Sequence, residues 1–191
     1  MADAYSSQKR VTRWDVSGGD LPTPVLATPT NGRLFLLPDK TVDGVGIYKD
    51  DVAGLVKTLK HIGVDIDFAV AREDRRYLSE YGAADVAAVI TLAVAGNLTG
   101  DVIKGIATTV WHRVRSAIGA ESTQEEVDSA NVTVRIAEIV RNEHETVIRG
   151  LEITSRAANI EGVIRDAISS GSPTQLPPGT SESTEPEEAP E

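Results

Sequence analysis

The chain has 191 residues, 40% of them hydrophobic, enough for one domain with a real core or for two small lobes sharing one. It contains no cysteine, which excludes disulfide frameworks, thiolate zinc sites and cysteine nucleophiles together and suits a reducing, cytoplasmic compartment. Its formal net charge of −10 argues against a nucleic-acid surface, because releasing counterions from phosphates needs concentrated Lys and Arg.

In chain order, residues 1–10 are polar, with no apolar run for an export machinery or a bilayer to read, and are expected to be flexible. Val11, Arg13, Trp14 and Val16 suggest a short strand that stops at Ser17-Gly18-Gly19. Pro22, Pro24 and Pro29 exclude a helix through the next segment and place residues 25–27 at a sheet edge or in an extended crossing. Asn31-Gly32 predicts a type I′ turn folding residues 25–28 back onto 34–37, and Pro38 ends that second arm. Residues 42–48 suggest a further short strand. Asp50 or Asp51 can cap a helix whose Val52, Leu55, Val56, Leu59 and Ile62 form one apolar stripe, with Gly63 at the position that stops it. Residues 64–70 then read as a strand, with Val64, Ile66, Phe68 and Val70 on one face and Asp65, Asp67 and Ala69 on the other. A charged turn, residues 72–76, leads into Tyr77, Leu78 and Tyr81.

Residues 83–119 form the longest and most apolar stretch. Residues 86–95 are apolar on every side, which predicts a helix buried all round; Gly96-Asn97 breaks it. Thr99 or Asp101 can cap a second helix carrying Val102, Ile103, Ile106, Val110, Val114 and Ile118 on one side. Together these predict a buried helical hairpin, whose small residues would admit a partner helix or a second copy of the chain. The uncharged run between Asp85 and Asp101 is about fifteen residues, short of the ~20 that span a bilayer, so membrane insertion is the minor alternative.

After a polar linker, residues 120–130, the period changes. Val132, Val134 and Ile136 alternate with Thr133, Arg135 and Ala137 as in a strand, and Val147, Leu151 and Ile153 mark a second one across a loop at residues 142–145, with a bulge expected at Gly150. Residues 159–169 follow as an amphipathic helix. The fold class is therefore α+β: a central buried helical hairpin flanked by an N-terminal mixed β/α region and a C-terminal ββα unit. It divides as residues 11–169 in a single domain, or as lobes 11–82 and 83–169, followed by a proline-rich tail, 170–191, expected to be disordered. That tail holds Glu182, Glu185, Glu187, Glu188 and Glu191, so the folded part is only mildly acidic.

Chemistry-bearing groups are sparse. Asp65 and Asp67, two apart on a strand, point the same way, and with Glu73 they could offer a ligand or hard-cation site; the commoner outcome for such a pair is an ion-paired strand face, here with Arg72, Arg75 and Arg76. His61, His112 and His144 show no metal-ligand spacing. Trp111, His112, Arg113 and Arg115 end the second helix of the hairpin and could form an interaction site. The glycine-bearing turns lack the spacing of a phosphate loop, and no serine lies in a nucleophile elbow. No catalytic residue, metal motif or cofactor fingerprint stands out, so a non-catalytic interaction protein is expected, with a small enzyme or metal- or ligand-binding protein using the Asp65/Asp67 strand face as the alternative.

An all-apolar segment ending in Trp111-His112-Arg113-Val114-Arg115, followed by the hairpin VTVRIAEIVRNEHETVIRGLEIT and a short amphipathic helix, resembles the order of elements in the small effector-associated constant components of bacterial conflict (antiviral defence) systems. That resemblance covers roughly residues 83–168. It implies a non-enzymatic adaptor or signalling component working beside a separate effector.

Overall fold

The computed structural model describes residues 9–78, 88–119 and 121–170. The expectations for Tyr81, the first residues of the helical hairpin, the flexible N-terminus and the acidic tail fall wholly or mostly outside them. The elements are β1 (Arg10–Arg13), α1 (Thr23–Ala27), β2 (Arg33–Leu36), β3 (Lys40–Val42), β4 (Val45–Lys49), α2 (Leu55–His61), β5 (Ile66–Phe68), β6 (Arg75–Leu78), β7 (Ala88–Ala95), α3 (Gly100–Ile118), α4 (Gln124–Ser129), β8 (Asn131–Arg141), β9 (Thr146–Arg156) and α5 (Ile160–Ser170). The class is α+β. A six-stranded mixed sheet runs β1-β9-β8-β7-β2-β5, and a small sheet runs β3-β4-β6.

The helical hairpin is not what the chain forms. Residues 88–95 are strand β7, which lies between parallel β8 and antiparallel β2, so it is buried by neighbours on both edges and on both faces for much of its length. A central strand reads as a continuous apolar run, and that is what imitated a buried helix. The second arm is a helix as expected: α3 starts at the Thr99 cap and crosses from β7 to β8, with Val102, Ile103, Ile106, Val110 and Val114 buried against the sheet. No helix among the described residues is long and apolar enough to cross a membrane.

The ββα unit is present. β8 and β9 pair antiparallel over eleven residues, and α5 folds back onto them and onto α3. Their register runs unbroken through Ala137 and Gly150, so the expected bulge is absent. Gly150 is needed instead because the Trp14 backbone crosses directly over it: Trp14 N–H donates to the Gly150 carbonyl at 3.1 Å, and a Cβ there would overlap the Trp14 carbonyl.

The N-terminal third differs more. The prolines start a helix here and do not exclude one: Pro22 caps α1 and Pro24 sits in its first turn, where a missing N–H costs nothing. Asn31-Gly32 makes no hairpin. The Asn31 carboxamide oxygen accepts the Arg33 N–H, and Gly32, at φ 84°, donates to the Ala95 carbonyl. The positive-φ two-residue turn is Asp43-Gly44, φ 51° and 80°, which joins β3 to β4. A single 3-10 turn, Asp50–Val52, precedes α2, and Gly63 stops that helix at φ 90°. The linker before β8 is not structureless, for it holds α4.

Two cores follow from this layering. On one face of the large sheet, α2, α3, α4 and α5 bury Leu92, Val94, Ile106, Val110, Ile136 and Ile164 completely, each contributing about 1.5–3 kcal/mol of transfer free energy. On the other face, among the described residues, residues 14–27 cover the sheet, packing Trp14, Leu21 and Val25 over Phe35, Ala93, Ala95, Ala137 and Ile139. Ala93 and Ala95 of β7 are small because this crossing segment lies on them.

Candidate functional site

Strand register sorts the second face of the large sheet into rows. One row runs Val89, Thr133, Thr154, Arg10 across β7, β8, β9 and β1, and the next runs Thr91, Arg135, Glu152, Thr12. The following rows, through Ala93 and Ala137 and through Ala95 and Ile139, are the ones under residues 14–27. The first two rows lie beyond that cover: Val89 is 42% exposed, and the threonines and Arg135 are partly so. Thr133 and Thr154 hydroxyls meet at 3.1 Å, and Arg135 Nε donates to Glu152 at 2.6 Å. The open half-face is thus a flat, hydroxyl-rich surface with a cross-strand ion pair in it.

Where the open half meets the covered half there is a cleft of about 820 Å³. Thr91 and Arg135 belong to its floor, Trp14 and residues 19–24 form one wall, and residues 37–41 with Val70, Ala71 and Asp74 form the other. Of its five charged residues, Asp20, Asp39 and Arg135 are engaged by neighbouring groups. Asp20 accepts the Ser17 N–H at 2.8 Å and the Ser17 hydroxyl at 2.9 Å, and these bonds hold its carboxyl below the ordinary range. Asp39 accepts the Lys49 N–H at 3.2 Å and faces the Arg113 guanidinium. None of the three histidines lines the cleft.

The residues singled out by sequence lie elsewhere. The strand expected over residues 64–70 is only β5, so Asp67 lies in it and Asp65 just before it, where the Ile66 N–H bonds back to the Val64 carbonyl; the two carboxylates pair with Lys60 at 2.9 Å and Arg33 at 3.0 Å, not with the arginines of residues 72–76. Arg75 lies instead over the Phe68 ring and donates to the Val70 carbonyl, and Arg76 donates to the Glu73 and Arg75 carbonyls. Partial burial pushes the Asp67 carboxyl up, but the Lys60 ammonium and the Phe68 N–H outweigh it and hold the group below the ordinary range. Glu73 sits in the 3-10 turn that precedes β6. Among the described residues no group of three or more His, Asp or Glu side chains is placed to hold a metal ion.

The four residues near the end of α3 divide. Trp111, His112 and Arg115 stack together: the imidazole meets the indole edge-on with centroids 5.1 Å apart, and the guanidinium lies 5.2 Å above the indole. Burial and then the Arg115 charge push the His112 pKa down. Arg113 turns the other way, into the core, with 5% of its surface exposed and Asp39 offsetting part of its desolvation. The open half-face was half legible, since Thr133 and Arg135 occupy the polar positions of an alternating strand. Val89 and Thr91 were hidden by reading their segment as helix. Comparison with protein-family models, curated proteins and solved structures finds no match to this chain.

Proposed function

We propose that this protein is a non-catalytic interaction module, an adaptor that holds a protein partner against the open half of its large sheet. The observation behind this reading is the uneven cover of the sheet's second face: two rows across four strands stand clear of residues 14–27, beside a cleft whose Asp20, Asp39 and Arg135 are held by scaffold contacts. Groups already bound to the scaffold are poor nucleophiles or proton carriers, whereas a rigid, flat hydroxyl-bearing surface suits recognition of an extended segment. This is also the role implied by the resemblance to effector-associated components of bacterial defence or signalling systems. A buried helical hairpin is no longer available as the partner site, so the interaction is assigned to the sheet.

The test compares the tagged full-length chain with a Val89→Arg/Thr154→Arg variant, each recovered from cells that make the protein natively. A companion protein should accompany the wild type in stoichiometric amount and be lost from the variant at unchanged thermal midpoint. A wild-type chain that sediments as a monomer and brings down nothing stoichiometric overturns the proposal.

A further inference from the structure

We propose that the acidic stretch around Glu182 to Glu191 docks back onto the basic edge of the large sheet built from β1 and the adjoining end of β9. This goes beyond the adaptor role and stands or falls independently of it.

Among the described residues β1 pairs only with β9, so its outer edge is unpaired there. Over five residues it carries Lys9, Arg10 and Arg13, on a chain whose formal net charge is −10. Register puts Arg10 opposite Thr154, two residues before Arg156 on the same face of β9, and puts Arg13 on the other face. Lys9 is bridged to Asp166 at 2.7 Å. Arg10, Arg13 and Arg156, by contrast, make no side-chain hydrogen bond or ion pair among the described residues. Three cations with no ion-pair partner among the described residues, on an acidic protein, form a surface that attracts an anionic segment.

The chain supplies such a segment and delivers it to this place. Ser170, the last residue of α5, lines the same small hollow as Lys9, Val11 and Asp166, beside the β1 edge. Beyond it, the sequence has five glutamates and no Lys or Arg. Glu182 comes a dozen residues after Ser170, a reach of up to about 40 Å when extended, whereas β1 itself is only about 13 Å long. Tethering also keeps the segment at an effective concentration on the order of millimolar, so weak individual ion pairs suffice. The proline residues of the stretch, Pro186 and Pro190, suit an edge, where an N–H facing away is not needed. Docked there, the segment would lie beside the row through Arg10 and Thr154 and compete with an acidic partner for it.

Because the chain has no cysteine, Ser183→Cys gives a single attachment point for a spin label on the full-length protein. Paramagnetic broadening should be several-fold stronger at the β1 amides than at those of α2, which packs by the opposite edge strand, and should fade as salt is raised. Arg10→Glu/Arg13→Glu should abolish the selectivity. Replacing the five tail glutamates by glutamine should do the same while leaving the folded body's sequence untouched. Broadening that is no stronger at β1 than at α2, or that survives either charge change, overturns the proposal.

Discussion

Gly150 shows how one residue ties two parts of the chain together. Its carbonyl accepts the Trp14 N–H, and the space its missing side chain leaves is filled by the Trp14 carbonyl, which lets the chain leave β1 and cross the second sheet face. Gly150→Ala forces that crossing outward. The expected cost is about 1–3 kcal/mol, the range for overpacking a tight site. Denaturant unfolding measures it, and quenching of Trp14 should change in step because its indole moves with its backbone. A loss below a few tenths of a kcal/mol would mean that residues 14–27 are not held at this point. Nothing in the local pattern VIRGLEI distinguishes a glycine needed for close approach from one marking a bulge, since the crossing strand is more than a hundred residues away in sequence.

Helix α4 is short and lies in a segment with little apolar content, so its termini matter more than its propensity. Thr123 closes a capping box: its hydroxyl accepts the Glu126 N–H at 3.3 Å, and the Glu126 carboxylate accepts the Thr123 N–H at 2.8 Å. The Thr123 N–H, together with the Thr123 hydroxyl that donates to the same carboxylate at 3.0 Å, holds the Glu126 carboxyl below its usual range. Thr123→Ala should destabilise the protein by about 0.5–2 kcal/mol, with Thr123→Ser losing far less, as read from thermal midpoints. Equal losses in both would show that the methyl, not the hydroxyl, does the work. This box, Thr-x-x-Glu, is legible in the sequence, but with Val127 the only strongly apolar residue of QEEVDS the segment has no apolar stripe and reads as a linker. Elements with a clear period were legible for the same physical reason in reverse: α3 and α5 each bury one face and wet the other, and β8 alternates in the same way up to Ile136. β7 was not, because a strand buried on both sides has no period to read, and its alanines made it look helical.

At the scale of the whole molecule, acid should act through groups whose native pKa is depressed. His112, partly buried and beside Arg115, binds its proton less readily in the folded chain than in the unfolded one. Between the unfolded value, about 6.5, and the lower folded one, the unfolded chain therefore carries more protons, and stability falls as pH falls. Asp67 and Glu126 are depressed as well, but their contribution is fully present above the unfolded carboxylate values, near 4, and is lost only below them. The two classes thus occupy separate pH windows. Denaturant midpoints measured from pH 7 down to pH 5 should decline for the wild type and stay nearly level for His112→Gln, while both decline together below about pH 4. Parallel curves from pH 7 to pH 5 would show that the imidazole stacked on Trp111 is as free to take a proton as it is in the unfolded chain.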